Sequence, residues 1–242
     1  MYWIHLRGDY MALTKDILIK INEDIEEMVS GYQDYSVSEL VAEFNINATA
    51  KNRLNALIKR MITYSNSIHL AQIEDMDNVC LKTIKLDKYG RLKESMSFPV
   101  FRYCDVVREN WQNSSLRSTF ADKTFVFAIF KNEGKELYLY KIIVWEMPEN
   151  VLESGIRPVW EKMRECLSSG NIVKYIDDNG RYFTYFPSST ENPYVHVRPH
   201  AQNRQDTLPL PVQDKLTGLI EYPKHSYWLN RSYVLKIISR DE

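Results

Sequence analysis

The spacing of hydrophobic positions changes character about one third of the way along the chain. Up to residue 63, Ile, Leu and Met recur among Lys and Glu with a roughly helical period, which predicts helices over 14–63. The second of these helices begins after Ser36 or Ser38, and the third spans 50–62. From about residue 78 the pattern becomes alternating or continuously apolar, which indicates strands.

The strand region predicts the second half of the fold. Residues 124–130 are almost entirely apolar, as in a central strand covered on both faces. Asn132-Glu133-Gly134 predicts a hairpin turn before a strand over 136–146. Further strands are predicted over 79–86, 97–103, 172–176, 181–186 and 194–197, and helices over 148–167 and 231–239. Residues 187–224, rich in Pro, Ser, Asn and Gln, predict surface loops.

These elements predict an α/β fold with a mixed β-sheet flanked by helices. A helical N-terminal lobe is expected at 1–66 and an α/β lobe at 67–242, both within one structural domain. The 242 residues are 44% hydrophobic and 26% charged, which is typical of a globular protein. Since no apolar run approaches the roughly 20 residues of a membrane span, no membrane partner is expected.

Charge and cysteine content narrow the class of protein. The net charge of −1 argues against a generic nucleic-acid binder, but it does not exclude a local cluster of positive charge. Three cysteines far apart in the sequence contain no C-x-x-C pair, which fits free thiols in a reducing cytoplasm. The chain also lacks a Gly-rich phosphate loop, G-x-S-x-G and H-E-x-x-H, which removes most nucleotide-dependent and protease activities. No small-molecule substrate is expected.

The first candidate site is the predicted strand that contains Cys80-Leu81-Lys82-Thr83-Ile84. Cys80 and Lys82 are two residues apart, so their side chains share one face. A carboxylate beside such a lysine would bind a divalent metal, but a thiol is a poor ligand for magnesium. Glu74, Asp75 and Asp77 precede the strand, and a register shift would bring Asp75 into place without supplying a second carboxylate. The candidate site at Asp75, Cys80 and Lys82 is therefore degenerate; a surface lysine on a half-exposed strand is the alternative.

The second candidate is the segment from His196 to Arg204, which follows a predicted strand. Arg can read O6 and N7 of guanine together, and Asn or Gln can pair with adenine. Pro199 stiffens this segment and lowers the entropy cost of ordering it. A solvated polar loop is the alternative. Metal binding by His196 and His200 is disfavoured, because Pro199 opposes the helix that this spacing requires.

Two further segments have weaker signals. The helix pair over 37–62 resembles a helix-turn-helix with a basic outer face that includes Lys51 and Arg53, although many amphipathic helical hairpins share this pattern. Tyr227, Trp228 and Tyr233 lie near His225 and Arg231 and would either stack on a base or pack on the sheet.

Several of these motifs, taken in order, resemble the MutH family of DNA endonucleases. Residues 80–84 are similar to the family's E-L-K-T-I strand, with Cys80 in the place of the catalytic glutamate. The block from Lys93 to Phe98, the segment His196-Val197-Arg198-Pro199-His200 and the stretch Tyr227-Trp228-Leu229 also match. The likeness covers roughly residues 14–238 and is greatest to the C-terminal half of GATC-cutting type II restriction endonucleases of the Sau-three-AI type.

This resemblance implies a restriction-endonuclease-like fold and a specific role. In such enzymes the N-terminal half cuts DNA, and the C-terminal half binds a second GATC copy and activates the first half allosterically. The resemblance implies that Arg198 reads bases, that His200 stands where a lysine lies near the methylation-sensitive base, and that Trp228 lies at an aromatic contact. The complete set of predicted DNA-binding residues is Arg198, Pro199, His200, Gln202, Asn203, Arg204, Trp228, Lys51 and Arg53.

The partners expected on this basis are double-stranded DNA containing GATC and the catalytic N-terminal half of the same enzyme. No cofactor is expected for this chain, and magnesium is expected for the catalytic half. Three alternatives remain open from the sequence. The chain is an active magnesium-dependent endonuclease, a helix-turn-helix regulator that uses 37–62, or a scaffold that binds no nucleic acid.

Overall fold

A computed structural model describes residues 15–74, 78–121 and 123–239. The helices in these ranges are α1 (Lys15–Tyr32), α2 (Val37–Glu43), α3 (Arg53–Tyr64), α4 (Ile68–Glu74), α5 (Tyr103–Arg108), α6 (Ser115–Ala121), α7 (Glu149–Val151), α8 (Arg157–Ser169) and α9 (Arg231–Ile238). The strands are β1 (Val79–Leu86), β2 (Met96–Val100), β3 (Thr124–Glu133), β4 (Glu136–Glu146), β5 (Val173–Ile176), β6 (Tyr182–Thr184), β7 (Val195–Pro199), β8 (Thr207–Pro209), β9 (Glu221–Pro223) and β10 (His225–Leu229).

The chain divides into two compact units. The first falls within Met1–Lys93 and Asp122–Glu146, and the second within Glu94–Ala121 and Met147–Glu242. This division differs from the lobes predicted at 1–66 and 67–242, because β1, β3 and β4 group with the N-terminal helices. The reason is packing: the helices bury their apolar faces on one side of this sheet, which forms a single core with them.

The first unit is a mixed sheet covered by α1–α4. Its strand order is β1-β3-β4, with β1 parallel to β3 and β3 antiparallel to β4. The shared core includes Leu57, Ile58 and Met61 of α3, together with Ala128 and Phe130 of β3. Ser36 begins α2 with a capping box, since its hydroxyl accepts from Glu39 N and the Glu39 carboxylate accepts from Ser36 N at 2.8 Å. The predicted cap at Ser36 or Ser38 is therefore Ser36.

The second unit is built on a three-stranded antiparallel sheet of order β2-β10-β7. Two small ribbons, β5-β6 and β8-β9, complete its strands. β7 corresponds to the strand predicted over 194–197. The prediction of loops over the rest of 187–224 is wrong in part, because β8 and β9 also lie within this range. Strands of three residues such as β8 and β9 are too short for an alternating pattern, and their pairing depends on distant contacts such as Leu208 with Tyr222.

A buried carboxylate links two segments of the second unit. Asp214 is 1% exposed, and its Oδ1 accepts from Ile172 N at 3.0 Å and Val173 N at 2.9 Å, at the start of β5. Its Oδ2 accepts from Thr217 N at 2.9 Å and Thr217 Oγ1 at 2.6 Å. The hydrogen bonds of Asp214 therefore connect the 214–217 turn to the start of β5.

Gly155 is a position in the second unit where a side chain would meet a close neighbour. It lies in the π-helical turn Leu152–Ile156, which joins α7 to α8, and a Cβ there would lie 2.6 Å from the ring of Tyr194. That ring packs edge-on against Tyr233, with 4.9 Å between the ring centroids, so it has little room to move away.

We expect Gly155→Ala to lower the free energy of unfolding by about 1–3 kcal/mol, the usual cost of overpacking, as measured by urea denaturation. Gly180→Ala is the comparison variant, because nothing lies within 4 Å of a Cβ added there. Its φ of 72° means that any loss in this variant reports backbone strain and not overpacking. A Gly155→Ala variant as stable as wild type would contradict the close contact.

The predicted α/β class is confirmed as a mixed α/β arrangement of helices and small sheets. The strands predicted over 79–86 and 136–146 are found with the same bounds, as β1 and β4. The prediction of a strand over 97–103 is wrong at its end, where Tyr103 begins α5 instead. Within the described residues, every helix is too short or too polar to cross a membrane.

Candidate nucleic-acid interface

The predicted recognition segment begins on an edge strand of the sheet in the second unit. β7 pairs with β10, and the register aligns Arg198 with Ser226 and His196 with Trp228. The alternate residues of these strands, Val195, Val197, Tyr227 and Leu229, are buried. Because neighbouring residues on a strand point to opposite faces, Arg198 and Trp228 lie together on the other face.

Arg198 lies against an aromatic ring. Its guanidinium carbon is 4.8 Å from the ring centroid of Trp228, within the range of a cation–π interaction. The Arg198 side chain is exposed, whereas Trp228 is half-buried. Arg198 is thus exposed to solvent, and its guanidinium is positioned by the ring of Trp228.

His200 lies on the same tryptophan. Its ring centroid is 5.7 Å from that of Trp228, with 45° between the planes. His200 Nδ1 shares a 2.7 Å hydrogen bond with the hydroxyl of Ser226, a residue that is fully buried. The backbone N–H of His200 donates to Lys224 O at 2.7 Å. These contacts fix the ring through Nδ1 and leave Nε2 as the nitrogen that faces away from Ser226.

His196 lies on the same face of the sheet as Arg198 and Trp228, but it is buried and has a structural role. It is 4% exposed, and its Nδ1 is hydrogen-bonded to Asn230 Oδ1. Asn230 Nδ2 donates to Asn192 O at 2.7 Å, so the amide oxygen is the group that faces His196. Burial lowers the pKa of His196, the hydrogen bond with Asn230 opposes this, and the charge of Arg198 adds to the lowering. The hydrogen bond of His196 joins β7 to Asn230, the residue that precedes α9.

The turn after β7 is held by its own side chains. Asn203 Oδ1 accepts from Gln205 N at 2.9 Å and Asp206 N at 3.1 Å. The Asp206 carboxylate accepts from Gln202 N at 3.0 Å and forms an ion pair with Lys224. The hydrogen bond from Lys224 is the main cause that lowers the pKa of Asp206. Gln202 and Arg204 remain exposed at the surface of this turn.

The other aromatic residues near the C-terminus are part of the core. Tyr227 is 3% exposed with its ring 4.5 Å from that of Phe101, and Tyr233 is 4% exposed. His225 is also buried, and burial lowers its pKa to about 4. For Tyr227 and Tyr233 the structure favours the alternative of packing on the sheet over stacking on a base.

The helix pair over 37–62 does not have the geometry of a helix-turn-helix. The connection from α2 to α3 runs from residue 44 to residue 52, whereas that motif uses a turn of about 3–4 residues. Lys51 is exposed in this connection, and Arg53 is the half-buried first residue of α3. Both belong to the first unit, so the structure does not group them with the Arg198 segment.

Cys80 and Lys82 of the first candidate site lie on β1, an edge strand of the first sheet. Cys80 pairs with Phe125 and Lys82 with Phe127 on β3, and Phe125 pairs in turn with Trp145 on β4. The rings of Phe125, Phe127 and Trp145 lie 5.7 Å from one another. The paired positions beside Cys80 and Lys82 are therefore aromatic and contain no oxygen ligand.

The acid predicted to complete this site, Asp75, lies outside the described residues, as does Asp77; Glu74 is the last residue of α4. Among the residues that the structure describes, no group of three His, Cys, Asp or Glu side chains is arranged to hold a metal ion. Magnesium requires several oxygen ligands. One thiol with aromatic neighbours does not fit this ion.

Sequence reasoning missed two residues that hold histidines of the candidate segment, Ser226 and Asn230. Each lies next to a residue of the aromatic stretch, but its role depends on a partner about 30 positions away in the sequence. The signal that was available for Asn230 is its place before an apolar helical pattern, where Asn is a common N-cap.

Comparison with known proteins adds one relative. No family model matches the chain. The chain is 23% identical over 252 residues to the type II restriction enzyme Sau3AI of Staphylococcus aureus, an alignment that covers 89% of this chain and 50% of that enzyme. The chain therefore spans about half the length of the curated relative that it matches. The similarity is weak in identity but extends over most of the chain.

Proposed function

We propose that this chain is a sequence-specific DNA-binding domain that recognises GATC within a type II restriction endonuclease. The observation that carries the proposal is the exposed Arg198 guanidinium, held 4.8 Å above Trp228 at the end of β7. An arginine whose guanidinium is positioned by a neighbouring ring and is still exposed to solvent is well suited to a bidentate contact with guanine. The similarity to a type II restriction enzyme supports DNA as the partner.

The other residues of the segment have distinct proposed roles. His200 presents Nε2 to a base edge beside Arg198, and Pro199 limits the freedom of the backbone between them. The exposed Gln202 and Arg204 reach bases or phosphates beside the recognition sequence, and Asn203 contributes its Nδ2 while its Oδ1 holds the turn. Lys51 and Arg53 contact phosphate, which adds affinity without sequence preference.

We further propose that the chain binds DNA without cutting it. In a MutH-type endonuclease fold, a strand with Cys80 before Lys82 has lost the carboxylate that a metal-dependent nuclease needs. The aromatic neighbours Phe125, Phe127 and Trp145 do not replace it. The catalytic half of the same enzyme would then supply the magnesium site.

Binding would act on that half through conformational equilibrium. A ligand changes an equilibrium only by its difference in affinity for the two states. GATC bound at Arg198 would favour the conformation in which the catalytic half is active. The extent of the alignment, about half of the relative's length, agrees with a chain that corresponds to one of two halves.

Catalytic silence is tested by a nicking assay on supercoiled plasmid that contains unmethylated GATC. We expect no cleavage above background with magnesium, because the Cys80 thiol cannot replace a carboxylate as a metal ligand. Cys80→Glu is expected to strengthen metal binding, as measured by calorimetry with magnesium. Robust cleavage by the unmodified chain that disappears in Lys82→Ala would establish the active endonuclease instead.

A further inference from the structure

We infer that Trp228 is a positioning residue: its ring holds the Arg198 guanidinium and the His200 imidazole in place for the DNA, and it does not itself contact a base. This inference rests on the proposed function and deepens it. It assigns the specificity of the site to a preformed arrangement of three side chains.

The register of the sheet creates the contact. Arg198 is directly opposite Ser226 and diagonally opposite Trp228, and diagonal neighbours on one face are within reach of long and aromatic side chains. The guanidinium carbon is 4.8 Å from the centre of the ring. The half-buried Trp228 is fixed by the middle strand of the sheet, so it supplies a stable surface for a flexible side chain.

The same ring also organises His200. The His200 ring lies 5.7 Å from that of Trp228, and the buried Ser226 hydroxyl bonds to its Nδ1 at 2.7 Å. Arg198 and His200 are therefore two polar groups beside one aromatic side chain. A change in the position of Trp228 would displace both of them.

This arrangement has a direct effect on specificity. An unrestrained arginine loses considerable rotamer entropy when it binds a base, and a partner that orders it beforehand reduces that cost. The reduction applies where the geometry is exacting, as in the two-point contact with guanine. A contact with a phosphate accepts more orientations, so it depends less on the ring.

Two observations argue against a stacking role for Trp228. Its ring already carries the Arg198 guanidinium, which a stacked base would have to displace. Its Nε1 atom is buried and has no hydrogen-bond partner among the described residues, so this donor is not presented at the surface. Trp228 thus provides a ring face on which the Arg198 guanidinium packs, and it presents no polar group to a ligand.

The chain offers a well-matched set of variants. Trp228→Phe keeps an aromatic face and removes an N–H that has no partner among the described residues. Trp228→Leu removes the aromatic face. Tyr185→Leu is the control, because the exposed Tyr185 ring lies 5.9 Å from Lys174 Nζ in the same unit but outside the interface.

The first measurement is the ratio of affinities for a GATC duplex and a scrambled duplex. We expect Trp228→Leu to lower this ratio about tenfold, the scale of a partly desolvated cation–π contact, with the affinity for the scrambled duplex nearly unchanged. Trp228→Phe should keep most of the ratio, and Tyr185→Leu all of it. In a background that carries both Arg198→Ala and His200→Ala, Trp228→Leu should cause little additional loss. A full additional loss in that background would overturn the inference, because Trp228 would then contact DNA itself.

The second measurement needs no DNA. In the free protein, the nuclear magnetic resonance signal of Arg198 Nε–H should be displaced by the ring current of the tryptophan, and Trp228→Leu should return it to the ordinary arginine position while the rest of the spectrum stays folded. An unchanged signal would overturn the positioning role. If the wild-type chain showed no preference for GATC, the proposed function would fail, and this signal alone would decide whether Trp228 orders Arg198.

Discussion

Replacing Arg198 by alanine is expected to remove most of the discrimination between GATC and scrambled duplex. A bidentate contact with guanine contributes on the order of 1–3 kcal/mol of discrimination against the wrong base, or about 5- to 150-fold in relative affinity. The affinity for scrambled DNA should fall much less, because it depends on the total of phosphate contacts. The measurement is fluorescence anisotropy with both duplexes at one salt concentration.

Two further variants make this result specific. Arg198→Lys keeps the charge but loses the planar pair of donors, so it should restore affinity for scrambled DNA more than preference for GATC. Arg181→Ala removes an exposed arginine whose guanidinium carbon lies 5.2 Å from the ring centroid of Phe183, but this arginine lies in the turn between β5 and β6. It should leave the preference intact. Equal losses on both duplexes in Arg198→Ala would mean that Arg198 is only a phosphate contact.

The second large effect concerns stability. Asp214→Ala is expected to lower the free energy of unfolding by about 3–5 kcal/mol, because it leaves the N–H groups of Ile172 and Val173 without their buried acceptor. The two bonds from Thr217 would be lost as well. Urea denaturation followed by circular dichroism measures the change. A loss below 1 kcal/mol would show that the carboxylate does not hold the turn.

The contribution of Asp214 should also depend on pH. Burial alone would raise the pKa of this carboxyl, but the hydrogen bonds from Thr217, Val173 and Ile172 outweigh burial and lower it. A group whose pKa is lower in the folded state stabilises the fold above its unfolded pKa, about 3.9, and loses this contribution as the pH falls through the folded pKa. The stability difference between wild type and Asp214→Asn should therefore be constant near pH 7 and shrink below about pH 4. A difference that grows on acidification would contradict the assignment.

Local patterns predicted the elements that are long and regular. β1 and β4 have the predicted bounds because both are long enough for an apolar pattern to be read, and a turn with Gly134 at positive φ precedes β4. α1 and α3 follow their apolar periods. α5 and α6 were missed because helices of six and seven residues provide too few turns for a period to be detected.

The arrangement of the site could be predicted only in part. The polar segment from His196 was recognised by its residue types, but β10 was not predicted as a strand, because its run His225-Ser226-Tyr227-Trp228-Leu229 is buried on both faces and does not alternate. The contact of Arg198 with Trp228 follows from the pairing of β7 with β10, which no local pattern contains. The same pairing places the buried Tyr227 and the half-buried Trp228 on opposite faces of the sheet, although the two are adjacent in sequence.

The division into two units was also beyond the sequence pattern. The N-terminal helices and the 124–146 hairpin are separated by a segment that belongs to the other unit. Their association depends on the shared core of residues such as Leu57 and Ala128, which only three-dimensional packing brings together.

One titration tests the central claim most directly: binding of this chain to a GATC duplex and to a scrambled duplex, without magnesium, at several salt concentrations. Affinity for both should fall as salt rises, since phosphate contacts release counterions, while the preference for GATC persists because base contacts carry it. A preference at every salt concentration is the result that we expect. Equal affinity for the two duplexes throughout, or no binding to either, would contradict sequence-specific recognition by Arg198.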